Sequence, residues 1–160
     1  MGAIDVGSGS ADLGDYNDLK NNTMMDIGNA ANASGTINSF QVRTSGASDL
    51  TNFKVGLFYL STPATQYTCR SAAAIGTVSG AGLHTYTVSL AVIIGDLLAI
   101  YYETGLAINS IITGGVGLYV ISGDVITVGL ESSFNPTAWI TRQASIYATG
   151  SFPSRGWCSK

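Results

Sequence analysis

An all-β chain, folded as an antiparallel two-sheet sandwich, is what this sequence predicts. Three observations carry that reading. Charged residues make up 11% of the 160 positions, with glutamate only at Glu103 and Glu131 and lysine only at Lys20, Lys54 and Lys160. The side chains that dress exposed helix faces are therefore scarce. Twenty glycines punctuate short stretches rich in β-branched residues, which suits strands joined by tight turns. The third observation is TYTVSL, Thr85 to Leu90, which alternates strictly between Tyr86, Val88 and Leu90 on one face and threonine or serine on the other.

The most apolar run, LAVIIGDLLAIYY from Leu90 to Tyr102, tests the reading. It is 13 residues long, whereas a membrane-spanning helix needs about 20. A buried helix would carry Gly95 and Asp96 at its centre, costing roughly 1 kcal/mol for the glycine and stranding a carboxylate away from water. The run therefore reads as a hairpin: a strand ending near Leu90, a turn at Gly95 and Asp96, and a strand LLAIYY suited to a packed pleated surface.

In chain order, AIDVG is a short strand and GSGSADLGDYNDLKNN a loop full of turn formers. TMMDI is expected at a sheet edge. In TINSFQV, Ile37 and Phe40 fall on opposite phases, which a bulge near Ser39 reconciles. KVGLFYL, apolar on both faces, is the candidate central strand. GLAINSIIT is either a strand or an irregular crossing. GVGLYVI and DVITVGL are expected to pair as a second hairpin about Ser122, Gly123 and Asp124. AWITRQASIYATG closes the fold, with Ile140, Ala144, Ile146 and Ala148 in one phase. Roughly eight to ten strands at this spacing suit a sandwich or barrel.

The length argues for one domain. Within it, residues 1–35 read as an N-terminal arm and acidic loop, 36–149 as the sandwich core and 150–160 as a C-terminal tail. The net charge of −3, with no basic run, gives no footprint for nucleic acid. MGAIDVGSGS is too short and too polar for an export signal.

IDVGSGSAD, NAANASGTINSF, KVGLFY, YTCR and the run ending IIGDLLAIYY resemble a jelly-roll type β-sandwich module of environmental and phage-like structural and surface proteins. The resemblance spans roughly Ile4 to Gly123 and rests on turn and core residues. It implies a jelly-roll sandwich used as a structural or surface module, and it carries over no catalytic residue.

Chemistry-bearing constellations are few. Five of the eight aspartates lie in the first 26 residues, and Asp12, Asp15 and Asp18 recur every third position. They are candidate Ca²⁺ ligands. The competing and favoured reading makes them Asx-turns that keep a loop soluble. His84 is the only histidine and no G-x-S-x-G occurs, so no hydrolase triad is legible. Cys69 and Cys158 allow one bridge, though two free thiols are favoured.

No catalysis is expected. The leading expectation is a structural subunit that self-assembles in a virion or in an extracellular filament or layer. It would form homo-oligomers through its N- and C-terminal arms, with Phe152, Arg155 and Trp157 as tail anchors. The alternative is a secreted or surface carbohydrate-binding module using Trp139, Tyr101 and Tyr102.

Overall fold

Residues 3–62 and 65–153 are described in a computed structural model, and no helix occurs among them. The strands are β1 (Ala3–Val6), β2 (Tyr16–Asn17), β3 (Asn22–Asp26), β4 (Gly35–Ser45), β5 (Leu50–Thr62), β6 (Gln66–Val78) and β7 (Ala81–Val92). They continue with β8 (Leu97–Tyr101), β9 (Ile108–Ile111), β10 (Leu118–Ser122), β11 (Glu131–Ser133), β12 (Asn135–Trp139), β13 (Gln143–Ala144) and β14 (Ile146–Ser151). Two antiparallel sheets of seven strands result. The first runs β1-β14-β4-β9-β13, with β7 paired to β4 and β2 paired to β9; the second runs β11-β6-β5-β8-β3-β10-β12.

The ladders are nested. Hairpin β5–β6 is the innermost pair, β4 pairs β7 around it, β3 pairs β8 around that, and β1 pairs β14 outermost. Strands β9 to β13 all fall between β8 and β14 in sequence.

Period-two alternation explains where the side chains go. From β4, Ile37, Phe40 and Val42 point into a core shared with Val88, Leu90 and Val92 of β7 and with Val55, Leu57, Leu98 and Ile100 of the second sheet. Phe53 sits between Phe40, at 6.0 Å between ring centroids, and Tyr102, stacked at 6.1 Å. The intervening residues of the second sheet are buried too. Met25, Phe58, Tyr67, Cys69, Ala99 and Tyr101 form a second cluster, roofed by Ile126 and Phe134 of the segment between β10 and β12. Phe134 meets Phe58 and Tyr67 edge-on at 5.4 and 5.8 Å. A strand buried on both faces reads as a continuous apolar run. That is why KVGLFYL and LLAIYY do not alternate.

The bulge near Ser39 is present: the β4–β7 and β4–β14 ladders both shift register there. Beside it β14 runs close to β4, and a Cβ at Gly150 would collide with the Thr36 carbonyl. Glycine is required at that position. KVGLFYL is central, flanked by β6 and β8.

Four expectations need correction. Leu90 to Tyr102 is strand, turn, strand, with Gly95 at φ 93°, but it is not a hairpin. β7 belongs to the first sheet and β8 to the second, so the turn is a corner between sheets. TMMDI, in β3, is an inner strand between β8 and β10 rather than an edge. DVITVGL does not pair with β10 but crosses the outer face of the second sheet without regular structure. Residues 1–35 do not form an arm needing another surface. β1, β2 and β3 are paired in the chain's own sheets, and Ile4, Val6, Leu19, Met24 and Met25 are buried. Strands of two to five residues show too little alternation to be read locally, and their partners lie about a hundred or more residues away in sequence for β1 and β2.

Candidate functional site

The acidic loop is built by turn chemistry. Asp12 Oδ1 accepts the Gly14 N–H at 2.9 Å and the Asn109 amide at 2.9 Å. The Gly14 hydrogen bond, foremost, holds the Asp12 carboxyl below its ordinary value. Asn109, fully buried, also accepts the Leu13 N–H at 2.7 Å and donates to the Asp15 carbonyl at 3.0 Å. Asp18 accepts the Lys20 N–H at 3.2 Å and pairs with the Lys20 ammonium at 2.9 Å. Asp15 binds through its backbone, and its carboxylate has no partner among the described residues. No group of three or more His, Cys, Asp or Glu side chains is gathered to hold a metal ion among the described residues. Asp12 and Asp18 are engaged as Asx-turns, the reading favoured above.

The aromatic residues considered for glycan contact do not share a surface. Tyr101 and Tyr102 are both buried and lie on opposite faces of the second sheet. The Tyr102 hydroxyl accepts the Leu19 N–H at 2.8 Å, and burial pushes its pKa up. Trp139 is partly buried against the core, with the Arg142 guanidinium 4.4 Å from its ring centroid. Exposed aromatic faces are what stacking on sugars needs, and burial removes Tyr101 and Tyr102 from that role. Of the tail anchors, Phe152 packs against the chain's own core, while Arg155 and Trp157 lie outside the described residues.

The groups with nucleophilic or acid–base chemistry are tied into structure. Cys69 is a buried free thiol whose pKa burial pushes up to about 11. Nε2 of His84 lies 3.0 Å from the Thr44 hydroxyl and 2.9 Å from the Gly80 carbonyl, with its ring stacked on Tyr86. Glu131 accepts the Ser61 hydroxyl at 2.6 Å. Asp96, the charge planted in the apolar run, accepts a two-pronged bond from Arg70 at 2.5 and 3.0 Å and the Ile93 N–H at 2.9 Å. Arg70 in turn lies over the Tyr59 ring at 4.3 Å. Lys54 pairs with Asp124, pinning the start of the segment that roofs the second sheet.

Sequence reasoning missed a flank where the segment joining β9 to β10 meets the end of β12 and the turn that follows it. There the turn 112–117 lies along 139–142, joined by Gly115 N–H to the Thr141 carbonyl at 2.7 Å and Gly117 N–H to the Arg142 carbonyl at 2.9 Å. The Thr141 hydroxyl adds a bond to the Ile112 carbonyl at 2.8 Å. Ile112, Val116 and Ile140 are all exposed on this flank. Ile140 was expected to share the buried phase of Ala144 and Ile146. The turn after β12 breaks that phase and turns it outward. IITGGVG and WITR lie more than twenty residues apart in sequence, so no local signal joins them.

No helix among the described residues is long and apolar enough to cross a membrane. Comparison with protein-family models, with curated proteins and with solved structures found no match to this chain.

Proposed function

We propose that the chain is a non-enzymatic structural subunit of jelly-roll type that assembles with copies of itself, in a virion or in an extracellular filament or layer. The nested ladders support the jelly-roll part. Counting only β1, β3, β4, β5, β6, β7, β8 and β14, the sheet orders are first-eighth-third-sixth and fifth-fourth-seventh-second. That is a long antiparallel ribbon rolled into two sheets, an arrangement known from capsid and lectin domains.

The observation that carries the assembly part is the flank bearing Ile112, Val116 and Ile140. Scattered exposed apolar residues are ordinary, but three on two segments joined by hydrogen bonds, beside a tryptophan and an arginine, have the composition of interface centres. In keeping with a structural role, Asp96, Arg70, Lys54, Asp124 and His84 are all spent on bonds that hold the fold. Sedimentation velocity on the full chain over a wide concentration range tests the proposal. Concentration-dependent oligomers are expected, and a monomer at every concentration would refute it.

A further inference from the structure

We infer that the outer edge of β7 adds to the same edge of a second copy of this chain, antiparallel and across a twofold axis at Thr85, so that the first sheet runs on from one copy into the other. This inference rests on the assembly reading above and names a contact for it apart from the flank.

The ladder fixes which backbone groups of β7 face outward. On β4, the Arg43 N–H donates to the Ser145 carbonyl at 3.3 Å and the Ser45 N–H to the Ala107 carbonyl at 3.2 Å. Both therefore point away from β7, and by alternation the bonds from β4 to β7 are made at Val42 and Thr44, which stand opposite His84 and Gly82. Leu83, Thr85 and Thr87, opposite Arg43, Gln41 and Ser39, aim their N–H and C=O groups out of the sheet. No bond from elsewhere in the chain reaches those groups among the described residues. Farther along, the Ser71 hydroxyl takes the Ala91 carbonyl at 2.7 Å, which bounds the open stretch.

Elsewhere the chain covers its edges itself. Along β1, the Asp5 N–H donates to the Asn32 side chain at 3.0 Å, and the Asp5 carbonyl accepts the Asn32 N–H at 3.3 Å. Along β6, β11 and then Leu130 and Gly129 bond the stretch that ends at Cys69. Edges left open are ordinarily blunted by charge, proline or a bulge. Ala81–Val92 holds no Lys, Arg, Asp, Glu or Pro, and its register with β4 runs unbroken from Ala81 to Thr87. Backbone donors and acceptors in such a row are matched by another extended strand, not by a helix. The β7 of a second copy is already held extended by β4, so it pays little of the ordering cost that a free peptide would. Rotation about Thr85 sets Thr85 opposite Thr85 and Leu83 opposite Thr87, each pair exchanging both bonds. These exposed side chains bring no like charges together, and threonine opposite threonine is a favourable pair.

The test uses the full chain, with amide hydrogen exchange and sedimentation to read the contact and melting curves to check the fold. Raising the concentration is expected to slow exchange at Leu83, Thr85 and Thr87, while Gly82, His84 and Tyr86, bonded to β4, stay slow throughout. Thr85→Lys and Thr85→Glu, changes at an exposed position, each set like charges face to face across the axis and are expected to weaken self-association at least about tenfold. An equimolar mixture of the two is expected to recover most of the loss, because lysine then stands opposite glutamate. Loss in each variant without recovery in the mixture overturns the twofold at Thr85. Oligomers that neither variant alters, with exchange at the three amides independent of concentration, overturn this edge and leave self-assembly standing. A wild-type chain that stays monomeric at every concentration overturns both readings.

Discussion

Replacing Asp96 with alanine should be among the most damaging single changes outside the hydrophobic core. Its carboxylate is 1% exposed and holds three donors: Arg70 Nε, Arg70 Nη2 and the Ile93 N–H. Its backbone also closes the corner, with Ala31 N–H donating to the Asp96 carbonyl at 2.8 Å and Gly95 N–H to the Ala31 carbonyl at 2.9 Å. Removing one partner of a buried pair costs about 3–5 kcal/mol. Arg70 keeps some water, at 23% side-chain exposure, and keeps its seat over Tyr59, so the lower figure of about 3 kcal/mol is expected. For a chain of this length that is a fall in melting temperature of about 6–12 °C. Asp96→Asn retains one acceptor and should lose about half as much. Urea unfolding of the wild type, Asp96→Ala, Arg70→Ala and the double variant gives the coupling directly, with at least about 1 kcal/mol expected between the two sites. A loss below about 1 kcal/mol for Asp96→Ala, in the range of ordinary surface changes, would refute the claim that this carboxylate secures the corner between the sheets.

Tyr102→Phe removes the hydroxyl that accepts the Leu19 N–H and leaves the ring stack with Phe53 intact. A loss of about 1–3 kcal/mol in urea unfolding is expected, the cost of an unpaired buried donor. Asp26 should make the chain less stable as pH rises. Burial, the largest influence, lifts its pKa above 3.8 despite bonds from Ser8 and the Gly28 N–H. Between that value and its higher folded pKa the native state holds the proton more tightly than the unfolded chain, so its contribution is fully present below pH 3.8 and is lost as pH climbs through the folded pKa. Asp26→Asn keeps an acceptor for Gly28 and a donor for Ser8. Its stability relative to wild type should therefore increase with pH over that window, and a pH-independent difference would count against the assignment. Added Ca²⁺ should leave the melting temperature unchanged, because Asp12 and Asp18 are engaged in local turns. A stabilisation near 2.7 kcal/mol at about 100 times a dissociation constant would instead establish a site at the acidic loop.

Local pattern was legible where one face of a strand is wet. Tyr86, Val88 and Leu90 announce β7, and Gly95 with Asp96 announces a turn because one supplies a positive φ and the other a carboxylate that caps backbone. What local pattern does not carry is the partner. A strand that ends at Val92 and resumes at Leu97 pairs within its own sheet or crosses to the facing one with the same sequence signal. The choice is made by β4 on one side and by β3 and β5 on the other. DVITVGL misled for a related reason. Its alternation is real, but only Ile126 is buried, under the roof of the second sheet, while Val128 and Leu130 are exposed. The candidate site was less legible still: the aspartates were visible as a cluster, whereas the flank depends on 112–117 and 139–142, distant in sequence, being joined by hydrogen bonds.

Strands β9 to β13, between β8 and β14 in sequence, account for what is unusual in the surface as well as in the core. One part of that stretch lays Ile126 and Phe134 over Phe58, Tyr67 and Met25, burying a face that a two-sheet fold ordinarily leaves to solvent. Each large apolar side chain so buried contributes about 1.5–3 kcal/mol, which offsets the ordering of an irregular segment. The other part runs along the flank, where Gly115, Gly117 and Thr141 supply three hydrogen bonds between its two segments while Ile112, Val116 and Ile140 stay about half in water. The same stretch therefore removes apolar surface on one side and presents it on another. These three side chains keep about half of their surface in water, and Val116 also lies against Gly28. Burial of that surface against a second copy is what the proposed assembly predicts.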